Sequence, residues 1–176
     1  GIVLYSGNNS LNKTGGGVGR ESGASDMDLS KFNHFINPVN RNKAMKKEAI
    51  DYITNNPGRF IDLAGIKFLR FWRLWPYTDH YQQWYVIAAS LLSYGVILFL
   101  SVGFIFRHAR EHFRKLTPVF VLFTYLTLVH MITIGSIRYR FPLEPFLIIF
   151  AGYFIVDILK KYSWFDWVQT NVLNNY

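Results

Sequence analysis

Residues 84 to 106 read WYVIAASLLSYGVILFLSVGFIF and contain no Lys, Arg, Asp or Glu. At 1.5 Å per residue a helix of that length spans about 34 Å, enough to cross a bilayer core of about 30 Å. Residues 116 to 137 are free of the same four residue types, and His130 is their ionisable side chain of note. A third apolar run follows Pro142 and ends near Leu159, with Asp157 close to its end. It spans roughly 27 Å as a helix. Pro suits a first helical position, because its missing N–H would be unbonded there anyway. Any one such run could be the core helix of a soluble protein. Two clean runs longer than a bilayer crossing point instead to three membrane helices. The expected fold is therefore all-α and integral to the membrane.

Loop charge sets the expected orientation. Residues 107 to 115, RHAREHFRK, carry four Lys or Arg, and Lys160 and Lys161 follow the third run. The positive-inside rule puts these in the cytoplasm. Residues 1 to 82 and the 138–144 loop then lie outside, where Arg138 and Arg140 are exceptions that ask for a reason. The expected organisation has four parts. Residues 1–39 form a polar Gly/Asn-rich extracytoplasmic segment, and 40–82 extracytoplasmic and interfacial amphipathic helices. Residues 83–159 form a three-helix transmembrane module, and 160–176 a cytoplasmic aromatic tail.

The whole chain agrees with that class. Of 176 residues, 51% are hydrophobic and only 17% charged, which excludes a disordered chain. The net charge of +8 is distributed as membrane topology requires, so it is no sign of nucleic acid. Without Cys, disulfide frameworks, thiolate metal sites and Cys nucleophiles are excluded. The chain starts at Gly1 without a signal-peptide pattern, and a piece of a longer protein is expected.

Outside the apolar runs, Asn40 is an expected cap for a helix from about Arg41 to Asn55. Asn56-Pro57 is a second start signal. It leads into RFIDLAGIKFLRFWRLW, residues 59 to 75, which ends at Pro76. There Lys67, Arg70 and Arg73 recur every third residue among Phe68, Phe71, Trp72 and Trp75. That pattern suits a helix lying in the membrane interface, its cations drawn to anionic headgroups or forming one wall of a phosphate site. Trp164, Phe165 and Trp167 would anchor the tail on the cytoplasmic side.

Candidate chemistry gathers at residues 138 to 145, RYRFPLEP. In extended chain Arg138 and Arg140 would point one way. Two planar guanidinium forks there suit a lipid phosphate, while snorkelling anchors are the simpler alternative. Glu144 would pair with either arginine or orient a sugar hydroxyl. His130 is either a functional group inside the membrane or a neutral imidazole bonded to a neighbouring helix. His108 and Glu111-His112 match H-x-x-E-H, an inverted zinc-protease pattern, but four basic neighbours oppose a metal ion and no third ligand is evident. Thr14 to Arg20 is glycine-rich but lacks the Gly-Lys-Ser/Thr ending of a P-loop. Asn8-Asn9-Ser10 and Asn12-Lys13-Thr14 formally match glycosylation sequons. No metal site and no cofactor are expected.

Gly7-Asn8-Asn9 followed by Thr14-Gly15-Gly16 resembles a GNN…TGG segment of bacterial polytopic glycosyltransferases. Those enzymes are similar to protein mannosyltransferases and to the aminoarabinose transferases of lipid A, of glycosyltransferase family 39 type. The order of later segments also fits: AIDYI at 49–53, Asn56-Pro57, Phe60, KFLRFW at 67–72, His130-Met131-Ile132, and RYRFPLEPF at 138–146. The resemblance runs from about Gly7 to Leu159. It implies the C-terminal part of a GT-C class enzyme of the bacterial inner membrane. Such an enzyme moves a sugar from a polyprenyl-phosphate donor to a lipid, glycan or protein acceptor on the extracytoplasmic face. Its other partners would be the bilayer and a missing N-terminal transmembrane region. The family's catalytic acid is typically in the first extracytoplasmic loop. None of Asp26, Asp28, Asp51, Asp62 and Asp79 matches that position, so no catalytic residue is named. Arg138 and Arg140 would hold the lipid phosphate, aided by Lys67, Arg70, His130 and Glu144. A non-catalytic membrane subunit or scaffold, and a membrane zinc protease, are the alternatives.

Overall fold

The computed structural model describes residues 1–16, 28–76 and 81–161. Among them the protein is all-helical, without strands, and two helical runs are long and apolar enough to cross a membrane. The aromatic tail after Lys161 lies outside the described residues.

Residues 1–39, which show no helical period, nonetheless include a short helix, α1 (Ile2–Gly7), and a 3₁₀ turn at Ser30–Phe32. Helix α2 (Pro38–Asn55) starts three residues before the expected Arg41. Its cap is Asn37 rather than Asn40, and the Asn37 side chain accepts a 2.8 Å hydrogen bond from the Val39 N–H. Asn40 cannot cap because Pro38, with its fixed φ, already begins the helix two residues earlier. Met45 and Ala49, one turn apart, bury against Tyr5 and Phe32, whose rings meet edge to face at 5.0 Å. This small core fastens α1 and the Ser30–Phe32 turn to α2.

Helix α3 (Pro57–Phe71) starts at the expected Asn56-Pro57 signal, although Asn56 makes no side-chain cap bond. It ends at Phe71, short of Pro76. Its buried face is Leu63, Lys67, Arg70 and Phe71, a spacing that places all four on one side of a helix. Half of that face is cationic. The sequence placed Lys67 and Arg70 at the headgroups or in the wall of a phosphate site; the structure turns them inward.

Helix α4 (Trp84–Ser90) passes through a π-turn at Leu91–Gly95 into α5 (Val96–Ile132). Together they make 49 helical residues, roughly 74 Å if straight. The run is not straight. The Phe150 ring lies 4.7 Å from that of Phe104 and 6.4 Å from that of Phe123. Nineteen residues of straight helix would separate those two positions by about 28 Å.

Helix α6 (Glu144–Lys161) fixes the path. Ser101 meets Leu147, Phe104 meets Phe150 and Arg107 meets Asp157, so this half of α5 runs parallel to α6. Phe123 meets Phe146 and Phe150 while His130 meets Tyr139, so the other half runs back. The expected 107–115 loop is thus helical in local geometry, yet the chain reverses between Phe104 and Phe123. Pro118 lies in that interval and cannot donate to the Arg114 carbonyl. The second apolar run stops at Ile132 rather than residue 137.

Small residues allow the close packing of α5 on α6. A Cβ on Gly103 would sit 2.7 Å from the Phe154 ring. Buried Ser101 places its hydroxyl 2.6 Å from the carbonyls of both Ile97 and Leu147. Outward, Leu92, Phe99 and Phe106 are 75%, 76% and 86% exposed, and Val121 and Ile149 continue the apolar surface.

Candidate functional site

The segments GNN, TGG and KFLR, and the residues just after α5, meet at one place. Lys67 is completely buried. Its ammonium donates to Asn8 Oδ1 at 2.9 Å and to the Ile132 carbonyl at 3.3 Å. The Asn8 amide donates to the carbonyls of Leu4 at 2.9 Å and Ile132 at 2.8 Å. Lysine can only donate, so the Asn8 oxygen must face it and both amide hydrogens turn to carbonyls. Ile132 ends α5, where backbone carbonyls lack intrahelical partners and the helix dipole is negative. Lys67 and Asn8 therefore cap that helix from outside it. Among the described residues no carboxylate shares this charge, and burial lowers the Lys67 pKa to about 8.

Arg70 repeats the pattern one turn on. Its Nε donates to the Gly135 carbonyl at 3.1 Å and its Nη1 to the Thr14 carbonyl at 3.3 Å. Glycine is needed where these elements touch. A Cβ on Gly7 would stand 1.7 Å from the Thr133 oxygen, and one on Gly135 would stand 2.5 Å from the Lys67 oxygen. Gly15 has φ +71°, and its carbonyl accepts from the Gly135 N–H at 3.1 Å. Asn12 shapes the loop between the two motifs. Its oxygen accepts from the N–H groups of Thr14 and Gly15, and its amide donates to Ser6 and Gly16. Asn8 and Asn12, the acceptors of the two formal sequons, are thus buried and fully engaged, which removes the glycosylation reading.

Arg138 and Arg140 do not project together. Residues Ile137–Leu143 form a 3₁₀ helix rather than extended chain, and residues two apart in a three-residue turn face different ways. Arg138 is exposed. Arg140 is buried, and its Nη1 donates to the carbonyls of Phe71, at 3.5 Å, and Arg73. It therefore caps the end of α3. Its Nε lies 3.5 Å from Glu144 Oε1, one of the two roles expected for Glu144, and its guanidinium lies 3.6 Å above the Tyr94 ring.

His130 stacks at 4.3 Å on Tyr139 and at 5.4 Å on Phe71. Its Nδ1 lies 3.2 Å from the Ile134 carbonyl, so its partner is on its own chain four residues on, not on a neighbouring helix. Arg73, the last cation of the expected stripe, covers the Trp75 ring at 4.6 Å.

At the reversal, Arg107 and His108 approach Asp157 at 3.1 and 3.5 Å. His112 Nδ1 points back to the His108 carbonyl at 3.3 Å. Among the described residues no three His, Cys, Asp or Glu side chains gather as metal ligands. Sequence reasoning missed Tyr94 and Gly135 as parts of the site. Neither carries a pattern, because each matters only through a distant partner. No protein-family model, curated protein or solved structure matches this chain.

Proposed function

We propose that the chain is the C-terminal part of a GT-C class membrane glycosyltransferase, one that takes a sugar from a polyprenyl-phosphate donor on the extracytoplasmic side. The observation that carries this reading is the meeting of the quoted motifs. Asn8 of GNN and Thr14 of TGG, Lys67 and Arg70 of KFLR, and the segment leading to RYRFPLEP bond to one another across 56 to 124 residues of sequence. Unrelated short matches would have no reason to assemble into one network.

In this reading the chain crosses the membrane three times, which the reversal supports: about 74 Å of helical residues is more than twice a bilayer core, and folded in two it would supply two spans beside α6. Arg107, Arg110, Arg114 and Lys115 at the reversal keep that end in the cytoplasm of a bacterial inner membrane, with the amino-terminal end outside. In this reading Arg138 presents its fork to the donor phosphate. Arg140, Lys67 and Arg70 fix the surface from which it projects, and His130 supports Tyr139 beside it. Neutralising the phosphate would stabilise charge developing on the leaving group.

The test is sugar transfer from a labelled polyprenyl-phosphate sugar in membranes expressing the full-length protein. Transfer above that of vector membranes, reduced by Arg138→Ala at equal abundance, is the expected result. Full transfer by the Arg138→Ala protein would remove the arginine from the donor site. No transfer with any polyprenyl-phosphate sugar would favour the non-catalytic scaffold.

A further inference from the structure

Between the Leu91–Gly95 turn and the start of α6 lies a cleft of about 190 Å³, lined by Ser93, Tyr94, Ile97, Arg140, Glu144, Leu147 and Ile148. Its polar equipment is unusual for a surface between two apolar helices. Arg140 is positioned by two carbonyls at Nη1, by Glu144 at Nε and by the Tyr94 ring beneath. Among the described residues these bonds engage Nε and Nη1 and none engages Nη2. Glu144 uses Oε1 on Arg140, and no described residue bonds to Oε2.

Arg140 and Glu144, joined through Nε and Oε1, both line the cleft, so a guanidinium donor and a carboxylate acceptor neighbour each other there. The pair is neutral overall, so it selects neither an anion nor a cation. It suits a group that both accepts and donates, which is what neighbouring hydroxyls do. Ile97, Leu147 and Ile148 supply an apolar wall against which a sugar or glycerol carbon skeleton would rest.

We infer that this cleft binds the vicinal hydroxyls of a membrane-lipid headgroup, with Arg140 donating to one hydroxyl and Glu144 accepting from the next. The inference rests on the membrane placement proposed above but not on catalysis. The hydroxyls would come from a glycosyl headgroup or from the glycerol of phosphatidylglycerol.

The test is native mass spectrometry of the full chain released from phosphatidylcholine nanodiscs doped equally with monoglucosyl diacylglycerol and phosphatidylglycerol of matched acyl chains. Retention of either hydroxylated lipid about three- to tenfold above phosphatidylcholine is expected, the range set by one or two hydrogen bonds. Preference for the glucosyl lipid alone names the sugar as source, and preference for both names glycerol hydroxyls as sufficient. Ile148→Trp, at the exposed rim, should fill the cleft and abolish the preference without touching the Arg140–Glu144 pair. Glu144→Gln should reduce it. Equal retention of all three lipids, or a preference that survives Ile148→Trp, overturns the inference. A chain that fails to enter nanodiscs at all would overturn the membrane placement, which is a separate readout.

Discussion

The ammonium of Lys67 lies 2.9 Å from Oδ1 of Asn8, a residue 59 positions earlier, and no carboxylate among the described residues balances it. The charge is accommodated by dipoles: one amide oxygen and the carbonyl end of α5. This contact joins the amino-terminal loop, α3 and α5. Asn8→Ala would leave both Lys67 and the Ile132 carbonyl short of a partner. Loss of about 1–3 kcal/mol is expected, read as a lower unfolding midpoint in detergent. An unchanged midpoint would show that the loop is not coupled to the helices through Asn8.

The same lysine gives stability a pH dependence. Its folded pKa is about 8 against 10.5 for the free side chain. Below pH 8 both states are protonated, and the fold bears the full cost of a buried charge. Between 8 and 10.5 the folded form has lost its proton while the unfolded form retains it, so stability rises with pH across that window. The gain is about 3 kcal/mol at most. Lys67→Met should flatten the profile between pH 8 and 10 relative to the parent protein. Parallel profiles would show that Lys67 titrates normally.

Reversal of α5 can be measured directly. Spin labels at Phe99→Cys and Leu128→Cys would stand about 44 Å apart on a straight helix. A separation below about 25 Å is expected for a run folded back on itself, and the chain has no native Cys to interfere. A distance above 40 Å would contradict the folded path.

Membrane orientation has its own readout. Ser10→Cys and Glu111→Cys are both exposed positions, one in the amino-terminal loop and one at the reversal. In intact cells with a permeabilised outer membrane, an impermeant thiol reagent should label Ser10→Cys and spare Glu111→Cys. The opposite pattern would invert the proposed topology.

The two arginines of the RYR segment should separate by phenotype. Arg140→Lys loses the fork that reaches the carbonyls of Phe71 and Arg73 together with Glu144, so it should lower thermal stability. Arg138→Lys, compared at equal abundance, should weaken use of a polyprenyl-phosphate donor roughly ten- to hundredfold. If Arg138→Lys keeps donor use within about twofold, Arg138 is an interface anchor.

The sequence by itself determined the apolar helical runs, the cationic segment between the first two, and the start of α3 at Asn56-Pro57. These are legible because composition, charge and proline act over a few neighbouring residues. It also marked Lys67, Arg70, Arg138, Arg140 and Glu144 as residues of interest, since cations beside apolar runs are costly without a purpose. Only the tertiary structure decided what those residues touch. Lys67 and Arg70 turn inward because the unpaired carbonyls at the end of α5 and at Gly135 are brought against α3. Arg140 buries while Arg138 does not, because Ile137–Leu143 winds into a 3₁₀ helix that turns alternate residues apart. A carbonyl has no side chain, so the partners that hold this network together left no mark in the sequence.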